Sequence, residues 1–455
     1  MSCPYYSVTT SRLVIAILTI CLLGMPQISA NAQEDGSVAS DENLKTQRPS
    51  GAASRDVETY DLWTAKYLTG DWGGIRSSLE EQGISIILNS HTQFMVNTRG
   101  GLETKNGNDF AASYNLELVF DLQKMGLVSG AEFVFESKGT SGGEISDFDK
   151  EKVGGLFKTN ADAKEEEPIF VDKWWWHQKL LNDRIELRVG RIETEKDLFD
   201  VNSVAGHEDK QFLNKALVAN PTIPHKLGMG AYLKFRPTDW LYVQAAVMDP
   251  EARDRRTGFD TAFHGTDRVQ FFWELGVTPE FGSAKGKLGG RYLVGSWYNP
   301  GPKEVFFDTL DGRRARRYRN DDVGFYFGFE QLVWKENRDP EDTQGLTIFG
   351  RYGYAHDDTD MIEHFWSAGG QYAGLLPSRE DDVIGFGVAQ AILSEQYHKE
   401  IDPAADRETV YELYYAWHAT PWCIISPDLQ YVANPGGDKD DRDAVVAGVR
   451  LRVSF

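Results

Sequence analysis

Residues 443–455 read DAVVAGVRLRVSF, and their alternation decides the fold. Val445, Ala447, Val449, Leu451 and Val453 share one face of an extended strand, and Ala444, Val446, Gly448, Arg450, Arg452 and Ser454 share the other. One face is apolar, the second carries two arginines, and the aromatic Phe455 closes the stretch. The chain has 26% charged residues, so an oily closing strand without a polar tail is expected to turn its apolar face to lipid rather than to water.

The same period of two recurs upstream. Tyr114, Leu116, Leu118 and Phe120 oppose Asn115, Glu117 and Asp121; Phe133 and Phe135 alternate with Glu132 and Glu136; Ile185, Leu187 and Val189 alternate with Glu186 and Arg188. Sixteen such segments begin near residues 84, 112, 131, 168, 185, 227, 240, 267, 287, 322, 345, 362, 382, 407, 423 and 443. The connections after even segments are short, as at 181–184, whereas those after odd segments are mostly long and polar, as at 140–167, 192–226 and 250–266. A soluble half-buried sheet would alternate too, but it has no reason to gather its long loops at one end. An all-β fold follows: a transmembrane, antiparallel, up-and-down barrel of sixteen strands over 84–455, closed because lipid cannot satisfy an open sheet edge. One short helix is expected before it within 67–83, with Asp71 as cap and Gly83 as terminator.

Composition agrees. Aromatics make up 12% of the chain and Gly numbers 44, favouring strands and turns. Mean hydropathy is −0.44, which argues against helical spans and says nothing against a barrel. Residues 1–32 read as an export signal: Arg12, the apolar run 13–25, then Ala30-Asn31-Ala32 as a cleavage site. Residues 33–66 read as a polar, disordered leader. Cleavage would remove Cys3 and Cys21, leaving Cys423 without a disulfide partner. A net charge of −21 disfavours nucleic acid as a partner, and none is expected.

With the apolar sets toward lipid, the polar sets line a wet lumen. The inward candidates for contact with solute are Arg99, Glu117, Glu136, Lys138, Glu186, Arg188, Lys234, Arg236, Glu274, Arg291, Arg351, Glu412, Asp428, Arg450 and Arg452. Opposed charges across a constriction create a transverse field and offer donors and acceptors to neutral polyhydroxy solutes. Tryptophans near strand ends (Trp174, Trp175, Trp176, Trp240, Trp297, Trp417 and Trp422) suggest an interfacial girdle. Three consecutive tryptophans cannot all face lipid, so either Trp175 or the Trp174/Trp176 pair points inward. The basic run 313–319, RRARRYR, suits an external mouth or acidic lipopolysaccharide.

No cofactor is called for. The acidic clusters 356–360 and 438–443 match no calcium loop, and there is no phosphate-binding loop or H-E-x-x-H. His91, His364 and His418 show no catalytic spacing, which leaves an outer-membrane enzyme or surface-binding barrel as the reading from another class.

Two blocks carry a family resemblance. Residues 68–83, LTGDWGGIRSSLEEQG, and 408–437, ETVYELYYAWHATPWCIISPDLQYVANPGG, resemble the amino- and carboxyl-terminal blocks of the carbohydrate-selective, OprB-type porins of Gram-negative outer membranes. The stretch from 140 to 382 matches in architecture without a comparably sharp motif. The resemblance implies a sixteen-stranded outer-membrane channel passing small sugars and polyols by diffusion. It also implies that Asp71, Trp72, Gly73, Gly74 and Arg76 form a small helical element at the periplasmic mouth. A general, size-selective porin is the alternative within transport. The sequence carries no signal for an oligomeric state.

Overall fold

Asn89 lies opposite Ser454, and the pairing runs antiparallel through Gln93 opposite Arg450 to Arg99 opposite Val445. The first strand, β1 (Ile84–Arg99), thus meets the last, β16 (Ala444–Ser454), and the sheet closes. The computed structural model describes residues 61–455 apart from 143–147, 163–166, 196, 208, 225–226, 251–267, 306–307, 311–312, 316–317 and 340–343. The expected export signal and leader, up to residue 60, lie outside the described residues.

Between the two end strands lie β2 (Asn108–Asp121), β3 (Ala131–Gly142), β4 (Glu167–Leu180), β5 (Ile185–Glu193), β6 (Leu227–Thr238), β7 (Leu241–Met248) and β8 (Gln270–Val277). They are followed by β9 (Gly286–Asn299), β10 (Asp322–Lys335), β11 (Gly345–Tyr354), β12 (Ile362–Ala373), β13 (Val383–Leu393), β14 (Arg407–Thr420) and β15 (Cys423–Ala433). Each pairs antiparallel with its sequence neighbours, giving a closed sixteen-strand barrel. The short strand Glu280–Ser283 only extends the sheet at the foot of β9.

Alternating burial follows the alternating sequence. In β16, Val449 and Leu451 are exposed on the outer wall, while Arg450, Val446 and Ala444 are fully buried inside. In β8, Phe271, Trp273 and Leu275 face out and Gln270, Phe272 and Glu274 face in. Trp175 resolves the triple tryptophan: it packs against the interior cluster that includes Tyr232 and Phe272, whereas Trp176 is exposed on the wall. Trp297 departs from the girdle expectation. It is fully buried inside the barrel, its indole N–H donating to the Thr222 carbonyl at 2.9 Å.

The core sits inside the barrel, because two long loops fold into it. From the β3–β4 connection come Phe148, Val153 and Phe157, and from the β5–β6 connection Phe212, Leu213, Leu217 and Val218; they pack on Phe349, Phe365, Val410 and Tyr414 of the wall. The Phe212 ring meets Tyr414 edge-on at 5.0 Å. Burying a side chain of this size is worth about 2 kcal/mol, so the inner loop is held firmly. Helix α2 (Lys215–Val218) lies in this loop, its start capped by Asn214, whose side chain accepts from the Ala216 amide at 3.0 Å. A wall glycine makes the close approach possible: a Cβ at Gly387 would come within 2.8 Å of Leu217.

Candidate functional site

The charged side chains of the inner face do not form one ring. They divide into three groups according to what the inner loops leave open.

The first group borders a cleft of about 180 Å³. Inward positions two apart bring Glu186 and Arg188 from β5, Tyr232, Lys234 and Arg236 from β6, and Tyr242 and Gln244 from β7. Glu274 of β8 and Arg291 of β9 complete the wall, and the inner loop contributes Asp197, Leu198 and Val201. These wall residues lie in the half of the barrel nearer the short turns, since β5 starts from the turn at 181–184 and β6 ends at the turn before β7. Arg188 pairs with Glu186 at 2.8 Å, and Arg236 approaches the same carboxylate at 3.9 Å. Arg291 pairs with Glu330 at 3.0 Å and donates to the Val201 carbonyl. Glu274 is saturated: it accepts from the Asp200 amide, the Tyr242 hydroxyl and the Gln244 amide at 2.9 Å each, and from the Tyr326 hydroxyl at 3.0 Å. Arg188 also lies near the faces of Trp175 and Tyr232, at 5.9 and 5.8 Å. Paired charges beside aromatic faces suit a small polar solute with flat apolar C–H faces.

A second group faces inward but beneath the inner loop. Glu412 accepts the Leu213 and Asn214 amides at 2.5 and 2.9 Å. Arg351 donates to the Leu217 carbonyl at 2.8 Å and pairs with Asp200 at 3.2 Å. Asp428 accepts from Gln430 at 2.9 Å, and Arg450 donates to Ser426 at 3.2 Å. All four are buried. The loop covers them, and Glu412 and Arg351 bind its backbone, so these four face inward without bordering the open cleft. On the loop itself, burial pushes the Asp200 carboxyl up to about 7, against the pull of Arg351. In the β3–β4 connection burial likewise raises Asp149 to about 6, although Thr159 donates to it through both N–H and hydroxyl.

The third group knits the wall around Lys173, which reaches Asp197 at 2.5 Å, Glu136 at 3.4 Å and Glu193 at 3.5 Å. Lys138 pairs with Asp172 at 3.1 Å, and Glu117 stands opposite Glu136 in the strand register. Arg452 is half-buried and shared between Asp209 and Asn89, both at 3.3 Å. Arg99 stands apart from the cleft. A bulge between Asn97 and Arg99 breaks the alternation, and Arg99 is exposed at the end of β1. Lys173 escaped the sequence reading although it shares Trp175's face; Asp197 and Asp200 lie in the loop, where no period marks them.

The amino-terminal element docks on the barrel seam through helix α1 (Ile75–Glu81). Asp71 accepts from the Ser77 amide and hydroxyl, both at 2.8 Å, from further back than an ordinary cap. Gly73 and Gly74 have φ of 69° and 94°, the left-handed region that glycine enters freely. That turn lays Trp72 on one side of the Arg76 guanidinium at 4.2 Å, with Tyr67 also stacked on it at 3.9 Å. The guanidinium donates to the main-chain oxygens of Phe455 at 2.7 Å and of Ile86 at 3.4 Å.

Among the described residues, His356, Asp357 and Asp358 come close enough to suggest cation ligands, but Arg319 already donates to Asp358 at 2.8 Å. Side chains 313–317 of the basic run lie outside the described residues.

Comparison with known proteins agrees with this geometry. The carbohydrate-selective porin, OprB family, matches residues 105–455. Porin B of Pseudomonas aeruginosa is 24% identical over 89% of this chain and 94% of its own length. The high-pH structure of Pseudomonas putida OprB superposes with a TM-score of 0.76 at 23% identity, covering 86% of this chain and 99% of that one. With the family pattern spanning all sixteen strands but the first, the chain belongs to the carbohydrate-selective porins of the OprB family.

Proposed function

We propose that the cleft between β5–β9 and the inner loop is the filter through which small sugars and polyols diffuse passively across the outer membrane. The observation that supports this most directly is the pairing of Glu186 with Arg188 and Arg236 beside the faces of Trp175 and Tyr232. A sugar offers hydroxyls, which exchange easily with the water bonded to such ion pairs, and a C–H face, which covers an aromatic ring. The inner loop narrows the lumen at this level, so a solute must pass the charged wall rather than bulk water. No energy input is required, because a concentration gradient drives the solute and the site needs only modest affinity.

Reconstitution into planar bilayers tests the reading. Glucose is expected to reduce the ion current in a saturable manner, and Arg188→Ala is expected to weaken that block by about tenfold, one charge-assisted contact. A current indifferent to glucose would leave a general, size-selective pore. Loss of block through Arg291→Ala alone would shift the filter toward β9.

A further inference from the structure

The charges around the cleft are not all paired. Arg188, Lys234, Arg236 and Arg291 face three carboxylates, Glu186, Asp197 and Glu274. Each carboxylate is committed elsewhere: Glu186 to Arg188 and Arg236, Asp197 to Lys173, and Glu274 to four neutral donors. Arg291 finds its partner in Glu330. Lys234 is left over. Among the described residues no carboxylate stands within ion-pair distance of its ammonium, which lies 4.2 Å from the centre of the Tyr242 ring. Tyr242 spends its hydroxyl hydrogen on Glu274, and Tyr232 spends its own on Gln244. The ammonium therefore faces the open cleft over the Tyr242 ring, with Glu186, its cross-strand neighbour, turned to the two arginines.

We propose that the preferred solute is a polyhydroxy monocarboxylate, a sugar acid, whose carboxylate pairs with Lys234 while its hydroxyls meet the Glu186–Arg188 pair. This deepens the sugar-filter reading and rests on it. A half-buried cation without a counter-ion is costly to leave unpaired and gains most from a solute anion. An aldonate supplies that anion together with the hydroxyls that Glu186 and Arg188 accept and donate to. The net charge of −21 belongs to the chain as a whole. At Lys234 the cleft holds a cation outside ion-pair distance of any described carboxylate, so selection for an anion is made there rather than at the surface.

Bilayer recordings with gluconate, glucose and acetate at matched ionic strength test this. Gluconate is expected to block at about one-tenth the concentration of glucose, and acetate, which lacks hydroxyls, to block no better than glucose. Lys234→Gln is expected to bring the gluconate-to-glucose ratio to about one, and Lys234→Arg to restore the preference. Folding of each variant is checked by the heat-dependent gel mobility of the barrel. Glucose block with no gluconate preference, or a preference that survives Lys234→Gln, overturns the inference and leaves the sugar filter standing. Acetate blocking as well as gluconate overturns it in favour of a plain anion site. If none of the three solutes alters the current, both readings fall.

Discussion

Arg76 shows how much one side chain can carry. Its guanidinium is buried between Tyr67 and Trp72 and bonds main-chain oxygens on both strands of the seam, those of Ile86 and Phe455. The turn that places Trp72 there puts three successive residues at positive φ, of which two are glycine. The motif Asp71-Trp72-Gly73-Gly74 with Arg76 is thus a device for covering a cation over the closure of the barrel. Arg76→Ala removes charged hydrogen bonds and two ring contacts, together worth about 2–3 kcal/mol. The expected outcome is a lower urea midpoint and earlier loss of the fast-migrating folded band on heating. Arg76→Lys should recover little, since an ammonium has no plane to stack between the rings. A midpoint unchanged in Arg76→Ala would separate the element from barrel stability.

The inner loop is the element on which the proposed filter depends, and it is held to the wall at Glu412, which accepts two consecutive amides. Glu412→Ala orphans both donors at a cost of about 1–3 kcal/mol each. Phe212 and Leu217 remain packed and Arg351 still binds the α2 carbonyls, so the barrel should fold while the loop loosens. Single-channel recordings are expected to show a larger, noisier conductance and a glucose block weakened several-fold. A trace indistinguishable from wild type would assign the constriction to the wall alone. The strands were legible in the sequence because a wall between lipid and interior imposes a period of two on every segment, as in β8 and β16. The loop was not, because Phe212, Leu213, Leu217 and Val218 follow contacts with several strands of the wall rather than a period. For the same reason Arg351 and Glu412 could be placed on the inner face but not under the loop. Of the cleft, Glu186, Arg188, Lys234, Arg236, Glu274 and Arg291 were found by alternation, while Asp197 came only with the loop.

At the scale of the molecule, closure governs everything else. Every strand pairs with its sequence neighbours except at one place, where β1 must find β16 across the length of the chain. Lipid offers no partner for an unpaired edge, so the barrel is complete only when this seam forms. Several contacts guard it besides Arg76: the Leu68 amide donates to the Ser454 carbonyl at 2.8 Å, the Phe455 amide to the Leu88 carbonyl at 2.9 Å, and the Trp422 indole to the Leu62 carbonyl at 2.7 Å. A slip of one residue would turn Arg450 and Arg452 toward lipid, which strongly favours the observed register. The register places Thr92 directly opposite Leu451, both on the outer wall. In a Cys423→Ser background, Thr92→Cys with Leu451→Cys should therefore oxidise efficiently, because directly opposed residues bring their Cβ atoms to about 5 Å. The offset pair Thr92→Cys with Val449→Cys should oxidise poorly, since diagonal neighbours lie about 7–8 Å apart. The product is read as a change in mobility of the unfolded, non-reduced chain that reductant reverses. Equal yields from the two pairs, or a higher yield from the offset pair, would mean that the seam closes in a different register, shifted by two residues with the same face of β16 toward the channel.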